Sequence, residues 1–483
     1  MGGLENRRFF GKGTSVTRMN RRAFIKKGSM LAGAAVALAP QAHVWGANDD
    51  LRVGVVGFGG QGGLHIRLLR ELPGVRVVAL CDADRAVLDH GLRGAKQGNE
   101  NVKGYVDVRK LLEDKHIDAI TTATPDHWHA LVTVWACQAG KDVYVEKPLC
   151  HSLWEGRKMV EAARKYQRIV QFGLQDHACQ TGDMRLETEQ AGKIRVVFTA
   201  MNRIRESIGK VSGPQPIPAS VDYNLWAGPA PLAPLMRKNL HYDWHWVWPT
   251  GTGEIGNNGI YPLDACRLAL GQSVLPKRVM SFGGRFLFND DGETPNSQIA
   301  LLQYDPGPLV IFELRNLRSE KGPKTVDRKI KGDRGESGLP RPSGTPGDTG
   351  GFSAHKGHLF NFVQTVRSRD RSRQRADVLE GHLSTAMVHM ANISYRLGTP
   401  HTANEVREAI QDRGREAIDV FAGFQEHLAA NGVDLSKTPT ILGPWLEMDS
   451  KSEQFVGNSE LVARANHLLK RQYRRPFVIP DTV

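Results

Sequence analysis

The chain has 483 residues, of which 40% are hydrophobic and 24% charged. This composition excludes a disordered chain, and the length allows two or three domains. The net charge of +13 is unevenly placed, because residues 1–47 hold eight Lys and Arg but one acid. Apart from a basic stretch at 321–341 the remaining charge is dispersed, and no basic stripe alternates with aromatic residues, which argues against a nucleic-acid partner.

Residues 1–47 carry the pattern of a twin-arginine signal peptide. Arg21 and Arg22 are followed by Phe24 and Lys26, and a ten-residue apolar run begins at Met30. That run is about half the length that spans a bilayer, so we expect an exported, periplasmic protein that uses the twin-arginine machinery and is not integral to the membrane. An ordinary Sec signal or an uncleaved anchor is the alternative.

The cysteines indicate neither a disulfide framework nor a metal site. The five are widely separated and form no CxxC pair: Cys81, Cys137, Cys150, Cys179 and Cys266. Such a chain can fold in the reducing cytosol and acquire a cofactor there. Because the twin-arginine route carries folded proteins, that cofactor would leave with its protein.

From Leu51 to about residue 173, short apolar runs alternate with helical segments, which predicts a doubly wound parallel sheet. The predicted strands are Leu51–Val56, Val75–Cys81, Asp118–Ala123, Asp142–Val145 and Ile169–Phe172. The predicted helices are Leu64–Leu72, His127–Ala139 with Asp126 as N-cap, and a segment from Leu153 to about Tyr166.

After residue 174 the pattern favours an α/β domain with a large, mostly antiparallel open sheet. Its strand-like runs are Lys193–Met201, Arg278–Phe288, Ser297–Tyr304 and Leu309–Leu317, the last two joined by a Pro-Gly hairpin. We expect an exposed loop over Ser319–Gly351 and helices from His355 to about Arg396. The predicted domains are therefore residues 51–173 and 174–400, with a helical extension over 401–483.

A glycine turn follows the first strand and precedes the first helix, as a dinucleotide site requires. Gly57 permits the tight turn, Gly59 lets the backbone approach a pyrophosphate, and Gly62 permits close packing of helix on strand. Phe58 and Gln61 lie in the same turn. The helix N-terminus supplies unpaired N–H groups for the phosphates.

Asp82 ends the second strand, 25 residues after Gly57. A carboxylate there accepts hydrogen bonds from adenosine ribose hydroxyls and repels a 2′-phosphate, which favours NAD over NADP. Arg85 keeps NADP open, and Asp82 merely beginning a turn is the alternative. A second candidate loop follows the predicted strand Asp118–Ala123 at its carboxyl end. Its residues Thr124, Pro125 and His127 are candidate cofactor neighbours. We expect His129 to pack within its helix.

Together with Glu146-Lys147-Pro148 and the segment from Gly251 to Asp264, these motifs resemble the Gfo/Idh/MocA family, which includes glucose–fructose oxidoreductase and inositol dehydrogenase. The resemblance runs from about Leu51 to Gly398. It implies a Rossmann domain, an α/β domain with an open sheet, and hydride transfer between NAD(P) and a sugar or polyol. It also implies a cis bond before Pro148 and a homo-oligomer, because these sheets often bury a face against another subunit.

Lys147 is the predicted catalytic centre. Desolvation beside a nicotinamide cation lowers a lysine pKa, so Lys147 can act as base or hydrogen-bond partner, with Glu146 binding the nicotinamide ribose. The alternative is a solvated lysine at a strand end. In the family an aspartate and a histidine usually stand beside this lysine, but here those positions align with Asn257 and Tyr261. Asparagine cannot ionise, and a tyrosine of ordinary pKa is a poor base.

Candidate substrate contacts lie in three places. An aromatic segment supplies His241, Trp244 and His245, where rings suit the C–H faces of sugars, although packing under a loop explains its tryptophans equally well. His241, Asp243 and His245 lack an anchored metal-ligand spacing. Asp264 matches a further acidic position, with N-capping as the alternative. Weaker candidates are Gln175 and His177.

Three functions are weighed. The first is an exported oxidoreductase that holds NAD or NADP tightly and acts on a sugar, polyol or glycoside. The second is a redox-neutral glycosidase or lyase that works through a transient 3-keto sugar. The third is a carbohydrate-binding relative without catalysis, which Asn257 and Tyr261 favour and Lys147 opposes.

Overall fold

A computed structural model describes residues 50–175, 191–319, 324–338 and 350–483. The predicted signal peptide, His177 and Cys179 lie outside these ranges. Cys81, Cys137, Cys150 and Cys266 are buried free thiols. Among the described helices, none has the length and apolarity needed to cross a membrane.

The first domain contains the predicted six-stranded parallel sheet, in the order β3-β2-β1-β4-β5-β6. Its strands are β1 (Leu51–Val56), β2 (Val75–Cys81), β3 (Lys103–Tyr105), β4 (Ala119–Thr122), β5 (Asp142–Glu146) and β6 (Val170–Gly173). The strand order reverses between β1 and β4, and in such sheets ligands bind at the carboxyl ends beside that reversal. The doubly wound prediction is confirmed.

Helices cover both faces of this sheet. They are α1 (Gln61–Arg70), α2 (Arg85–Gln97), α3 (Val108–Glu113), α4 (Asp126–Gln138) and α5 (Leu153–Lys165). On one face Val143 and Val145 of β5 join a core with α4 and α5. On the other face Tyr144 packs with Phe362 and Val363 of a later helix, α8 (Gly350–Ser368). The second half of the chain therefore returns to complete the first domain.

The second sheet has ten strands and is mostly antiparallel, as expected, with β7 and β10 as its parallel pair. Its main strands are β7 (Ile194–Arg203), β8 (Arg278–Gly284), β9 (Ser297–Gln303), β10 (Leu309–Arg315), β11 (Lys324–Gly332) and β12 (Gly335–Gly338). The predicted hairpin joins β9 and β10. The loop expected over Ser319–Gly351 is wrong in part, because β11 and β12 lie within it. Val326 and Ile330, four residues apart, join the core despite the charged residues between them.

Both faces of this sheet are covered by the chain itself. Helices α7 (Ile260–Ala269) and α9 (Val378–Arg396) share one core, and α10 (Ala403–Ile410) and α11 (Arg415–Ala430) share another. The short helix α6 (Tyr223–Ala227) packs in a separate small cluster. Val310 and Phe312 share a core with α7 and α9. On the opposite face, Ile311 packs with Phe421 and Phe424 of α11.

The C-terminal extension is not wholly helical. After β13 (Thr399–His401), the strands β14 (Thr440–Leu442), β15 (Leu446–Asp449) and β16 (Gln454–Val456) join the second sheet, and α12 (Glu460–Leu468) follows. The last residues then reach the first domain, where Phe477 lies edge-on to Trp128 with ring centroids 5.5 Å apart. The extension thus contributes to the cores of both domains.

Candidate active site

A cavity of about 660 Å³ lies at the carboxyl ends of the first domain's strands. Both domains contribute to its wall. Most of the residues predicted for a dinucleotide and substrate site line it: Gly57, Phe58, Gly59, Gln61, Asp82, Thr124, Pro125, Glu146, Lys147, His241, Trp244, His245, Asn257 and Tyr261.

The glycine turn has the shape that a pyrophosphate needs. Gly57 has a φ of +73°, and a Cβ added at Gly62 would lie 2.1 Å from the Gly57 carbonyl oxygen. At Gly60, by contrast, an added Cβ would meet no atom within 4 Å. The N-cap residue of α1 is Gly60, which has no side chain to accept a hydrogen bond from the first N–H groups of the helix. The turn therefore fits a dinucleotide phosphate.

Asp82 lies at the end of β2 and is tied to the turn. Its carboxylate accepts hydrogen bonds from the N–H of Phe58 at 3.1 Å and of Asp84 at 3.0 Å. Burial raises the pKa of Asp82 above its usual value. Next to it, Asp84 caps α2 and lies 3.0 Å from Nε2 of His241.

His241 is thereby placed away from the predicted catalytic lysine. Asp84 follows β2, whereas Lys147 follows β5, and β1 and β4 stand between these strands. Three strand spacings amount to about 14 Å. His241 consequently lies at the end of the cavity where Asp82 is expected to meet an adenosine ribose, not beside the reacting carbon of a substrate.

Glu146 is buried and held as a carboxylate. Its Oε1 lies 2.9 Å from Nε2 of His65 and accepts a hydrogen bond from Gln61 at 3.3 Å. Burial raises the pKa of Glu146, but the hydrogen bond and charge of His65 outweigh it and lower that pKa to about 2. His65, in the interior of α1, carries no motif that would have revealed this role.

Lys147 reaches across to the second domain. Its Nζ donates to the main-chain oxygen of Asn257 at 2.8 Å and to Oδ1 of the same residue at 2.9 Å. The Tyr261 ring centroid lies 5.7 Å from Nζ. Burial lowers the pKa of Lys147, while the carboxylates of Glu146 and Asp126 oppose that shift. The bond before Pro148 is cis, as the resemblance implied.

Asn257 is oriented by a buried ion pair that the sequence analysis missed. Its Nδ2 donates to Glu254 at 3.3 Å, which turns Oδ1 towards Lys147. Glu254 has no exposed side-chain surface, and its two oxygens each accept a hydrogen bond of 3.0 Å from Arg205. Arg205 also donates to the Tyr242 hydroxyl at 3.0 Å. Residues Ile255–Gly259 form a π-helical turn, a feature frequent at functional sites.

Asp126 is another residue whose place in the site the sequence did not reveal, and it lines the cavity. It is the first residue of α4, not its N-cap, which is Pro125. Its side chain is buried and accepts a hydrogen bond of 2.7 Å from the Thr252 hydroxyl. Burial raises the pKa of the Asp126 carboxyl to about 7, against the opposing effects of that hydroxyl and of Lys147.

The two histidines of α4 are both buried, and only His129 borders the cavity. His127 does not line the cavity: it is fully buried, with its ring nitrogens 3.3 Å from the Thr250 oxygen and 3.1 Å from the Trp226 oxygen. His129 lines the cavity, and its Nε2 lies 2.8 Å from the Thr124 oxygen. The prediction of His127 as a cofactor neighbour is therefore wrong.

Two predicted substrate residues lie outside the cavity wall. Gln175 is buried and donates to the Gly173 oxygen at 3.1 Å. Asp264 lies in the interior of α7, where it accepts a hydrogen bond of 2.5 Å from Ser384 and faces Arg267 at 3.8 Å. It is not at a helix start, because the π-helical turn runs directly into α7. Asp264 therefore serves the packing of the second domain, whereas Gln175 is bonded to Gly173 and Tyr144 of the first.

The aromatic segment divides between cavity and core. Trp244 and His245 line the cavity, stacked with their ring centroids 3.6 Å apart, and burial lowers the pKa of His245 to about 3. Trp246 packs under Arg205, and Trp248 lies beside Arg396. Asp243 accepts from the Asn239 N–H. Among the described residues, no group of three or more His, Cys, Asp or Glu could hold a metal ion.

Comparison with known proteins agrees with this geometry. Residues 51–174 match a family described as "Oxidoreductase family, NAD-binding Rossmann fold", and residues 201–283 match its "C-terminal alpha/beta domain". Inositol 2-dehydrogenase 1 of Saccharopolyspora erythraea is 36% identical over 124 residues, which are 23% of this chain and 36% of that protein. A glycosyl hydrolase family 109 protein of Shewanella is 33% identical over 125 residues, 25% of this chain and 27% of the relative. The chain thus matches about a third of these relatives' length.

Solved structures share the fold at low identity. The myo-inositol dehydrogenase of Lactobacillus casei, solved with NAD(H) and myo-inositol, has a TM-score of 0.51 at 19% identity and covers 72% of this chain and 95% of its own. The WlbA dehydrogenase of Bordetella pertussis, solved with NADH and UDP-GlcNAcA, has a TM-score of 0.51 at 17% identity over 71% of this chain and 96% of its own. With its glycine turn and its Glu-Lys-Pro lysine, the chain carries the NAD-binding and C-terminal domains of the Gfo/Idh/MocA oxidoreductase family over residues 51–174 and 201–283.

Proposed function

We propose that the protein is an exported NAD(P)-dependent oxidoreductase that acts on a sugar, polyol or glycoside by hydride transfer. The observation that carries this proposal is that Lys147 lines the same cavity as the glycine turn. The turn and Asp82 would hold the adenosine diphosphate half of a dinucleotide, and Thr124, Pro125 and Glu146 would hold the nicotinamide half. A bound nicotinamide would take up or return the hydride.

The charges at the end of β2 favour NAD over NADP. Asp82 and Asp107 both line this part of the cavity, and Asp84 adjoins them. The carboxylates of Asp82 and Asp84 would repel a 2′-phosphate, whereas Asp107 is paired with Arg109 at 2.6 Å and Arg85 follows Asp84 directly in the sequence. We therefore propose NAD as the preferred dinucleotide.

The contacts of Lys147 specify what this side chain contributes. Two of its Nζ valences point to the oxygens of Asn257, which accept hydrogen bonds in either protonation state of the lysine. The third valence carries a proton in the ammonium form and a lone pair in the amine form. Lys147 can thus donate to a carbonyl oxygen of the substrate or accept a proton from its hydroxyl.

Tight retention of the dinucleotide is supported by a segment of the second domain, residues 217–245, which we call the strap. It lies against the loop after β2, where Ser220 accepts from the N–H of Arg85 at 2.8 Å and Asp222 donates to the Ala83 oxygen at 2.9 Å. The His241–Asp84 contact adds a third attachment. An adenosine bound at Asp82 would therefore be enclosed between the two domains.

We further propose export through the twin-arginine route, on the basis of the motif at Arg21 and Arg22. Retention of cofactor fits this location, because free dinucleotide is scarce outside the cytoplasm. The Arg21→Lys, Arg22→Lys double variant should stay in the cytoplasm on cell fractionation, while the wild type reaches the periplasm. Equal periplasmic amounts of both proteins would remove the proposal.

A redox-neutral glycosidase is the second candidate. Its support is Tyr261, a phenol that lines the cavity beside Lys147 and could exchange a proton with a sugar hydroxyl or aglycone. The glycosyl hydrolase family 109 relatives point in the same direction. In such a cycle the sugar would be oxidised at C3, which acidifies the neighbouring C–H; elimination would then expel the aglycone, and addition of water and reduction at C3 would complete the cycle without net oxidation.

One experiment separates the candidates. Purified protein is analysed by mass spectrometry for bound dinucleotide and then incubated with a panel of polyols, aldoses and aryl glycosides. Oxidised product that requires an acceptor supports the oxidoreductase. Aglycone release without an acceptor supports the glycosidase. Absence of bound dinucleotide supports a carbohydrate-binding protein without catalysis. Lys147→Ala should abolish turnover with dinucleotide still bound, whereas the exposed Lys110→Ala should behave as wild type. Turnover retained in Lys147→Ala would overturn the assigned role.

A further inference from the structure

The Asp126 carboxyl differs from the other buried carboxyl groups near the site. Glu146 lies 2.9 Å from His65, Glu254 lies 3.0 Å from Arg205, and Asp264 lies 3.8 Å from Arg267. Each of these has a basic partner. Asp126 accepts its hydrogen bonds from neutral donors, namely the Thr252 hydroxyl at 2.7 Å and the main-chain N–H groups of Thr252 and Asp126. Asp126 also lines the cavity, whereas Glu254 and Asp264 do not.

The site lacks the carboxylate and imidazole that its family usually sets beside the lysine. Asn257 cannot take up a proton, and Tyr261 is a phenol. Oxidation of an alcohol nevertheless releases a proton from the substrate hydroxyl, and a protonated Lys147 cannot accept it. A group that can be ionised near neutral pH, open to the cavity and close to Lys147 would meet this need.

We propose that Asp126 is the proton acceptor of this active site, working beside a Lys147 that donates a hydrogen bond to the substrate oxygen. The inference rests on the proposed oxidoreductase function and extends it by one residue and one role. In the oxidative step the substrate O–H bond breaks and its proton moves to the Asp126 carboxylate. The substrate C=O bond forms as the C–H bond breaks with its electron pair, and an oxidised nicotinamide bound in the cavity would take up that hydride. In the reverse step Asp126 returns the proton.

The surroundings of Asp126 suit this exchange. Its carboxyl has a pKa of about 7 because it is buried, with Lys147 and the Thr252 hydroxyl limiting the rise. The charge of Asp126 also acts on the Cys150 thiol. Burial is the main reason that the pKa of this thiol lies well above its usual value. A base with a pKa near the working pH gives the largest product of ionised fraction and proton affinity.

The test compares Asp126→Asn, Asp126→Glu and Glu155→Gln with the wild type. Asparagine keeps the size of the side chain and an oxygen for Thr252, but it cannot titrate. Glu155 is a matched control, because it is a buried carboxyl whose pKa is also raised by burial and which lies outside the cavity wall. Infrared difference spectra between pH 5 and pH 9 report carboxyl protonation directly, with no substrate needed.

We expect a carboxylic-acid band that titrates near pH 7 in the wild type and in Glu155→Gln and is missing from Asp126→Asn. With a substrate from the panel, Asp126→Asn should bind dinucleotide normally but lose about 10²–10⁴-fold in kcat/KM together with the ionisation near pH 7. Asp126→Glu should restore part of both. Glu155→Gln should keep the wild-type pH profile.

The outcomes separate this inference from the function on which it rests. A wild type that binds no dinucleotide or oxidises no member of the panel overturns the proposed function, and the inference with it. A wild type that is active alongside an equally active Asp126→Asn with the same pH profile overturns the inference alone. An infrared spectrum in which no band near pH 7 depends on Asp126 overturns it as well.

Discussion

Replacing Glu254 by glutamine tests the contact chain that positions Lys147. Glu254 has no exposed side-chain surface, and Arg205 is 14% exposed, so solvent screens neither charge well. Glutamine preserves the size of the side chain but leaves the guanidinium of Arg205 without its counter-charge. Removing one member of a buried pair costs about 3–5 kcal/mol, and we expect a loss of about 3 kcal/mol because glutamine still offers one acceptor oxygen.

The same change should disturb the lysine. Asn257 presents Oδ1 to Lys147 because its Nδ2 donates to Glu254. A glutamine at 254 that offers its own amide N–H groups to this side would favour rotation of the Asn257 amide, which would then face Lys147 with a donor. Lys147 would keep the main-chain oxygen of Asn257 and lose the second acceptor. We expect kcat to fall more than dinucleotide affinity.

Denaturant unfolding of four proteins measures the effect: wild type, Glu254→Gln, Arg205→Met and the double variant. If the pair acts as a unit, the double variant should be more stable than the sum of the single losses predicts, because no charge is left unpaired. The exposed pair Lys110–Glu113, with side chains 66% and 64% exposed, is the control, and Glu113→Gln should cost about 1 kcal/mol or less. A Glu254→Gln protein within 1 kcal/mol of wild type and with unchanged kcat would refute the reasoning.

Two further changes test the cofactor end of the cavity. Gly62→Ala would set a Cβ 2.1 Å from the Gly57 oxygen, so the turn must open and dinucleotide affinity should fall at least about tenfold by calorimetry. Gly94→Ala, where an added Cβ meets nothing within 4 Å, is its control, and equal affinities would contradict the expectation. His241→Ala removes one attachment of the strap to Asp84, so bound dinucleotide should dissociate faster on dilution. An unchanged dissociation rate would show that the strap does not retain the cofactor.

The first domain was predictable because its signals are local. Each strand is a short apolar run, and the glycine turn directly follows β1, so Gly57 and Asp82 could be placed on the cavity from order alone. Lys147 could be placed there for the same reason, since the carboxyl ends of parallel strands meet at one edge. No knowledge of the second domain was needed for these residues.

The error at His127 comes from the rotation of α4 about its axis, which decides which of its residues face the cavity. Residues two apart on a helix point about 200° apart, so His127 and His129 must face nearly opposite directions. The sequence identified both histidines but could not fix the helix rotation, and the wrong one was assigned to the cavity.

Glu254, Arg205 and His65 could not be found from local pattern. Each owes its role to a partner far along the chain: Arg205 is 49 residues from Glu254, and His65 is 81 residues from Glu146. The strands β11 and β12 were missed for a related reason. Their charged residues look like a loop until the sheet supplies a buried face for Val326 and Ile330.

The unusual residues at 257 and 261 acquire a different meaning once these contacts are known. Taken along the sequence, asparagine in place of aspartate suggests that the site has lost its negative charge. In the folded chain, Glu254 stands one helical turn before Asn257 and affects the pKa of Lys147, and Asp126 does the same from the first domain. The negative charge near Lys147 is therefore supplied by Glu254 and Asp126, and Asn257 is a neutral side chain that is hydrogen-bonded to both Glu254 and Lys147. A site built in this way keeps the means to handle a proton, which is why its departure from the family pattern favours altered catalysis over a purely binding role.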